Sequence, residues 1–213
     1  MNKAFVATTV SVVFHPLLMP SFLLGFLFYL SPEIVGVDII GLNGRLSLLA
    51  FMFLATFVLP SLAVLYLYRA KLIDNIRLEK LSDRRLPYFL TVGIYGLVSY
   101  FFGIKIPQTS GLSPDIGIVL ATITVTILCV GIISLWWQIS AHAVGISGVV
   151  GVLWAVIVKD SADSLFYLLL ISIVVWGLVL SARLYLNAHT VAQIVAGSLL
   201  GFVISFVASY WLL

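Results

Sequence analysis

Seven apolar stretches, separated by mostly short polar connections, run along the whole chain. They cover about 4–30, 46–69, 88–104, 116–139, 142–158, 164–182 and 190–212. Most approach or exceed the roughly 20 residues that a helix needs to cross a hydrocarbon layer about 30 Å thick. Because backbone polar groups in lipid have no water to bond, each stretch is expected to be helical. The pattern therefore predicts an all-α, polytopic transmembrane helical bundle.

Prolines and glycines add detail to three of these stretches. Pro16 and Pro20 each remove an intrahelical donor, so the first stretch is expected to kink or break. Whether it crosses once or folds back as two half-helices stays open. Pro60 predicts a bend in the second stretch. In the last stretch, Gly197 and Gly201 predict a small-residue face that packs within the chain rather than in a dimer.

Composition supports lipid as the solvent of the whole chain. Hydrophobic residues make up 62% and charged residues 9%, with a mean hydropathy of +1.22. A soluble domain carries about a quarter charged residues. No polar stretch is long enough to fold separately, so residues 1–213 are expected to form one multi-pass membrane domain, with the bacterial inner membrane as its location. The net charge of +3 arises mostly in 70–87, which predicts contact with anionic lipid rather than nucleic acid.

The polar residues that stand out form three groups. The first group, in a basic connection over 70–87 that Pro87 closes, is Arg77, Lys80, Arg84 and Arg85. The second, at the junction of the fourth and fifth stretches, is Ser140 and His142. The third, which bridges the sixth and seventh stretches, is Arg183, His189 and Gln193. Two crossings separate each group from the next. An even number of crossings returns the chain to the same side, so all three groups are expected at one membrane face.

Such a collection of cations and histidines suits phosphate chemistry. Guanidinium groups repel one another unless an anion lies between them, and phosphate matches their fork of donors. One histidine can attack phosphorus while another protonates the leaving oxygen. The sequence has no Walker-type glycine loop, and its carboxylates are sparse, so neither a metal nor a cofactor is expected. Taken singly, a basic connection more often sets topology and a lone histidine is more often interfacial; together the groups favour a site.

The order and spacing of these groups resemble the type 2 phosphatidic acid phosphatase superfamily, in its membrane lipid-phosphatase branch. Its pattern is Lys-x6-Arg-Pro, then Pro-Ser-Gly-His, then Ser-Arg-x5-His-x3-Asp. The third motif matches best, through Arg183, His189 and the position of Gln193. Ser181 stands two residues before Arg183, where the family has an adjacent serine.

The first two motifs of that family are matched more loosely. In the second motif Ser140 and His142 fit, with Ile139 and Ala141 in place of Pro and Gly. The first motif can be assigned as Arg77-x6-Arg84 or to Lys80 with Arg85. The resemblance covers about 70–205 and implies a six-helix phosphatase-like core over about 46–213, plus one extra N-terminal helix.

The resemblance also implies roles for individual residues. His189 would be the nucleophile that forms a phosphohistidine, and His142 the general acid for the leaving group. Ser140 and Arg183, with Arg84 or Arg85 and Lys80 or Arg77, would bind the substrate phosphate. Gln193 stands where the family has Asp; its amide can fix the tautomer of His189 but brings no negative charge.

These observations lead to three hypotheses. The first is a metal-free phosphatase that hydrolyses a phosphomonoester or pyrophosphate of a lipid or isoprenoid, with membrane lipids around it. The second is a catalytically degenerate relative that binds anionic headgroups or scaffolds a partner, which the Gln193 replacement favours. A small transporter is the third and weakest, since no acidic residue lies within a span. The charge count favours a cytoplasmic site, whereas the resemblance favours the outer face, which we prefer.

Overall fold

The computed structural model describes residues 2–76, 78, 80–110 and 112–213. Arg77, one of the predicted phosphate ligands, lies outside these ranges. The described residues form α-helices with short 3₁₀ and π-helical turns, and no strand occurs among them. In chain order the helices are α1 (Lys3–Val13), α2 (Met19–Leu30), α3 (Leu42–Phe53), α4 (Leu59–Arg69), α5 (Leu81–Tyr100), α6 (Ile106–Ser110), α7 (Asp115–Ile133), α8 (Ala141–Asp160), α9 (Phe166–Tyr185) and α10 (Val191–Leu212).

Within the described residues, 7 helical segments are long and apolar enough to cross a membrane. They are Lys3–Leu30, Leu42–Arg69, Leu81–Ser110, Asp115–Ile133, Ala141–Asp160, Asp163–Tyr185 and Val191–Leu212. The prediction of an all-α, polytopic membrane bundle is confirmed.

The first segment is broken, as its prolines predict. Helix α1 ends at Val13, a 3₁₀ turn covers Pro16–Leu18, and α2 begins at Met19. Proline provides no N–H for the hydrogen-bond ladder and disfavours helical backbone at the residue before it, and here the helix ends before Pro16. The two halves have different neighbours, since α1 packs mainly on α9 and α2 mainly on α3 and α8.

The second segment accommodates Pro60 through a π-helical turn and a substitute donor. The turn covers Leu54–Val58, directly before the helix that contains Pro60. Proline leaves the carbonyl four residues earlier, that of Thr56, without its helical N–H partner. The hydroxyl of the fully buried Tyr95 donates to this oxygen at 2.6 Å. A side chain of α5 therefore satisfies the backbone that the proline leaves open.

Two predicted boundaries are wrong. The basic connection was predicted over 70–87, but α5 already begins at Leu81, so Arg84, Arg85 and Pro87 lie in its first two turns. The negative side chain of Asp83 suits the first turn of a helix, where the dipole is positive. The fourth apolar stretch was predicted to continue to 139, but its helix, α7, ends at Ile133, and turns connect it to α8.

Helices α8 and α10 share the most extensive contact between any two helices of the described residues. A Cβ atom added to Gly197 would lie 2.8 Å from the carbonyl oxygen of Ser140, and one added to Gly201 would lie 2.2 Å from that of Val144. The small-residue face of α10 thus packs against α8 within the chain, as predicted. Fully buried α8 residues such as Val150 and Leu153 contribute to a core that also includes α2.

Replacing Gly201 with alanine is expected to destabilise the bundle by about 2 kcal/mol or more, because the new methyl group would overlap backbone that cannot rotate away. Thermal unfolding in detergent would measure the loss. Gly177→Ala is the matched control, since a Cβ atom there meets nothing within 4 Å. Equal melting temperatures for the two variants would contradict the close approach of α8 and α10.

Candidate functional site

A cavity of about 400 Å³ lies inside the bundle, and it collects the polar residues of several segments. The charged and histidine side chains on its wall are His15, Arg84, His142, Arg183 and His189. Most of the remaining wall is apolar. Along α8 the lining runs from Ala141 to Val152, which is about 16 Å of helix. The cavity is therefore a deep apolar pocket with a cationic, histidine-rich end.

Arg84 lies in the first turns of α5 and is only 8% exposed. Its Nε donates to the carbonyl oxygen of Leu78 at 2.7 Å, which anchors the side chain. Among the described residues the one ion pair is between Lys80 and Asp74. The guanidinium of Arg84 is thus buried without a carboxylate partner in that part of the chain.

Arg183 is the second guanidinium of the cavity. Its Nε is buried and has no hydrogen-bond partner among the described residues. Arg84 and Arg183 lie close enough for their positive charges to interact unfavourably. No Asp or Glu occurs among the described residues that line the cavity. An anion between the two guanidinium groups would relieve the repulsion and supply the missing acceptors.

The spacing of Arg183 and His189 has a structural cause in the turn that ends α9. Asn187 adopts a left-handed conformation, with φ of 51°. The N–H of Asn187 donates to the carbonyl of Leu184 and that of Ala188 to the carbonyl of Arg183. This pair of bonds is a Schellman motif. The turn links the backbone of Arg183 directly to the residue before His189, so both side chains are held at one end of the cavity.

The start of α10 continues this arrangement and orients His189. Thr190 and Gln193 form a capping box, in which the Gln193 Oε1 accepts from the Thr190 N–H at 3.1 Å. The same Oε1 lies 3.1 Å from Nδ1 of His189. An amide oxygen only accepts, so Nδ1 carries the hydrogen and donates it. Nε2 of the neutral ring is left with its lone pair.

Burial lowers the pKa of His189 to about 4. The hydrogen bond to Gln193 raises this pKa, while the charges of Arg183 and Arg84 lower it. His189 is 9% exposed and lies in the turn between α9 and α10. At neutral pH its imidazole is therefore uncharged, which is the form that a nucleophile requires.

His142 enters the cavity from the first turn of α8. Ser140 is the N-cap of this helix, and its side chain accepts from the Ala143 N–H. The Ser140 N–H in turn donates to the carbonyl of Gln193 at 3.4 Å. This bond joins the second predicted group to the third. The structure thus brings His142, Arg183 and His189 to one cavity wall.

His15 is the cavity residue that sequence reasoning missed. It lies within the first apolar stretch, and its Nδ1 accepts from the Leu17 N–H of its own segment at 3.3 Å. Its ring lies edge-on to that of His142, with 5.7 Å between the ring centroids. An ionisable residue inside a span is by itself a signal of a functional site, and here Pro16 beside it marks an irregular backbone.

Four predicted site residues do not line this cavity, and the structure gives each another position. Lys80 is exposed and pairs with Asp74 at 2.5 Å. Arg85 is exposed and donates to the Leu135 carbonyl at 3.1 Å. Ser140 is a buried helix cap, and Gln193 contacts the cavity through His189 alone. The assignment of Arg84 rather than Arg85 to the cavity follows from these positions.

A second, more open cleft meets the other side of His189. It is lined by Gln138, Asn187, His189, Thr190 and Gln193, together with apolar neighbours. These residues lie in the turns at the ends of α7, α9 and α10. His189 thus stands between a deep apolar cavity and an open cleft lined by polar side chains.

Comparisons with protein-family models, with curated proteins and with solved structures found no match for this chain. The class of protein is therefore described from its fold and its cavity alone. The chain is a multi-pass, all-α membrane protein with a buried cavity at which two guanidinium groups and three imidazoles converge.

Proposed function

We propose that this protein is a metal-free phosphatase for a lipid or isoprenoid phosphate, acting through a phosphohistidine at His189. The observation that carries the proposal is the combination of two guanidinium groups, Arg84 and Arg183, that have no carboxylate partner among the described residues, with a neutral His189 held in one tautomer by Gln193. This arrangement has an anion site, a nucleophile and an orienting group at one end of one cavity. His142 adds a proton donor on the same wall.

The reaction would have two halves. In the first, the substrate phosphate lies between Arg84 and Arg183, and Nε2 of His189 attacks phosphorus. The N–P bond forms as the P–O bond to the leaving group breaks, and His142, which enters this step as an imidazolium, gives one ring proton to the leaving oxygen and becomes neutral. The two guanidinium groups stabilise the negative charge on the equatorial oxygens.

In the second half, water attacks the phosphohistidine while His142, now neutral, takes a proton from it. The P–O bond to water forms, the N–P bond breaks, and inorganic phosphate leaves with His189 restored. The open cleft on the far side of His189 gives water a route that does not pass through the apolar cavity. A lipid tail in the cavity and water in the cleft can therefore meet at the same imidazole.

The shape of the cavity favours an amphiphilic substrate. Its wall continues from the cationic end past apolar residues such as Leu23, Ile123 and Val149. An acyl or prenyl chain buried there would add favourable transfer free energy at about 25 cal/mol per Å² of apolar surface. The phosphate would remain at the cationic end. The proposed location is the bacterial inner membrane, with the site at its outer face.

The second candidate is a protein that binds anionic lipid headgroups without hydrolysing them. Gln193 favours it, because an amide stabilises a phosphohistidine-forming imidazole less than a carboxylate does. The two candidates share the guanidinium site and differ in whether a phosphohistidine forms.

Purified protein is expected to release phosphate from lipid or polyprenyl phosphates without added metal. Arg183→Ala is expected to lower kcat/KM by about 10²-fold, because the transition-state charge loses a buried partner. Arg69→Ala is the control, since this exposed arginine ends α4 and does not line the cavity. Binding of the same lipids with no phosphate release would favour the second candidate. The absence of both lipid binding and phosphate release would exclude both candidates.

A further inference from the structure

The break in the first segment leaves one of its carbonyl groups available. In a continuous helix the Ser11 carbonyl would accept from the N–H of His15, four residues later. Helix α1 ends at Val13, and His15 has an extended backbone, with ψ of 139°. The Ser11 carbonyl is thus one of the orphan acceptors at the end of a helix.

His142 satisfies this acceptor. Its Nε2 lies 3.0 Å from the carbonyl oxygen of Ser11. A carbonyl oxygen only accepts, so Nε2 carries a hydrogen and donates it. Any proton that His142 exchanges with a substrate must then move through Nδ1. The contact joins residues 131 positions apart in the chain, so it is a tertiary contact made possible by the helix break.

His15 supports the same ring from a second direction. The rings of His15 and His142 are 5.7 Å apart and nearly perpendicular, with an interplanar angle of 81°. His15 is itself held, by the Leu17 N–H on its Nδ1 and by an edge contact with Phe57 at 6.5 Å. Together the carbonyl and the ring restrict both the tautomer and the tilt of His142.

We propose that the broken first segment is a working part of the site, in which the Ser11 carbonyl and the His15 ring position His142 so that its Nδ1 handles the leaving-group proton. The inference rests on the proposed phosphatase function for its chemical step. His15 is accordingly a positioning residue. The first segment, which the phosphatase resemblance treats as an addition to a six-helix core, then supplies the support for the general acid.

The leaving group provides the test. A general acid matters for a poor leaving group such as an aliphatic alcohol and little for a nitrophenolate, which departs without a proton. The experiment compares an alkyl phosphate and a nitrophenyl phosphate as substrates of the purified protein in detergent. His15→Phe is expected to lower kcat for the alkyl phosphate by about tenfold or more and kcat for the nitrophenyl phosphate by less than about twofold. His142→Ala is the reference for this pattern.

A second variant and a second readout make the test independent of folding and of turnover. Pro16→Ala removes the restriction on the backbone of His15, so the His15 N–H can form a helical bond to the Ser11 carbonyl. The Nε2–H tautomer of His142, which donates to that carbonyl in the wild type, is then expected to lose its preference. The ¹⁵N chemical shifts of labelled His142 report this tautomer. Equal losses of kcat on both substrates in His15→Phe, or an unchanged tautomer in Pro16→Ala, would overturn the inference. Wild-type protein that hydrolyses neither substrate would overturn the proposed function instead, and the tautomer would then decide the positioning alone.

Discussion

Replacing His189 with alanine is expected to abolish phosphate release, with a loss of at least about 10³-fold in kcat, because the proposed nucleophile is gone. Nδ1 of this residue is bonded to Gln193, which leaves Nε2 of the neutral ring with the lone pair that attack requires, and the charges of Arg183 and Arg84 act on the same ring. Water in the same cavity would have to replace it without the advantage of a fixed position. The measurement is phosphate release in single-turnover and steady-state assays.

The proposed phosphohistidine offers a sharper readout for the same variant. Wild-type protein mixed with a labelled lipid phosphate and quenched in alkali is expected to retain label on histidine, while His189→Ala retains none. His142→Ala is the informative comparison, because it keeps the nucleophile and is expected to form the phosphohistidine from a substrate with a good leaving group. Undiminished turnover in His189→Ala would exclude the covalent mechanism.

Replacing Gln193 with glutamate is expected to raise kcat/KM by about tenfold or more. Glu has the same length as Gln, and it is the residue that capping boxes commonly place at this position, so the bonds to Thr190 and His189 can be kept. The carboxylate adds a negative charge that stabilises the imidazole as it becomes positive during attack. The change thus alters charge with little change in geometry.

The pH dependence of this variant has a definite sign. Burial lowers the pKa of His189 to about 4, so the acid limb of the wild-type kcat/KM profile is expected near this pH. A carboxylate at 193 raises the pKa of His189, and the acid limb is therefore expected to move to higher pH. Gln193→Ala, which removes both the cap and the acceptor, should lower activity. A faster variant with an unmoved acid limb would show that Gln193 does not act through His189.

The membrane character and the helical architecture could be predicted from the sequence because hydropathy sets both. A segment of about 20 apolar residues in lipid has no alternative to a helix. The helix ends were harder, because charged residues continue a helix beyond the hydrocarbon layer. Arg84 and Arg85 lie in α5 for this reason, although the apolar pattern begins later.

The membership of the cavity could be predicted only in part. The third motif has local causes, a Schellman turn and a capping box, so its residues are close in sequence and in space. The choice of Arg84 over Arg85 depends on which side of α5 faces the cavity, and that depends on how the neighbouring helices pack. His15 reaches His142 through a contact between distant segments, which no local pattern encodes.

The bond from Tyr95 to the Thr56 carbonyl ties the second and third membrane segments together near their middle. A bilayer that thins or thickens can tilt such a pair only as one body, since sliding one helix along the other would leave a carbonyl unsatisfied in lipid. Arg84 is on the same helix as Tyr95, three turns nearer the surface. The depth of its guanidinium group in the membrane is therefore set by the Tyr95–Thr56 bond within the protein. A phosphate bound to that group would keep the same depth when the lipid surface moves.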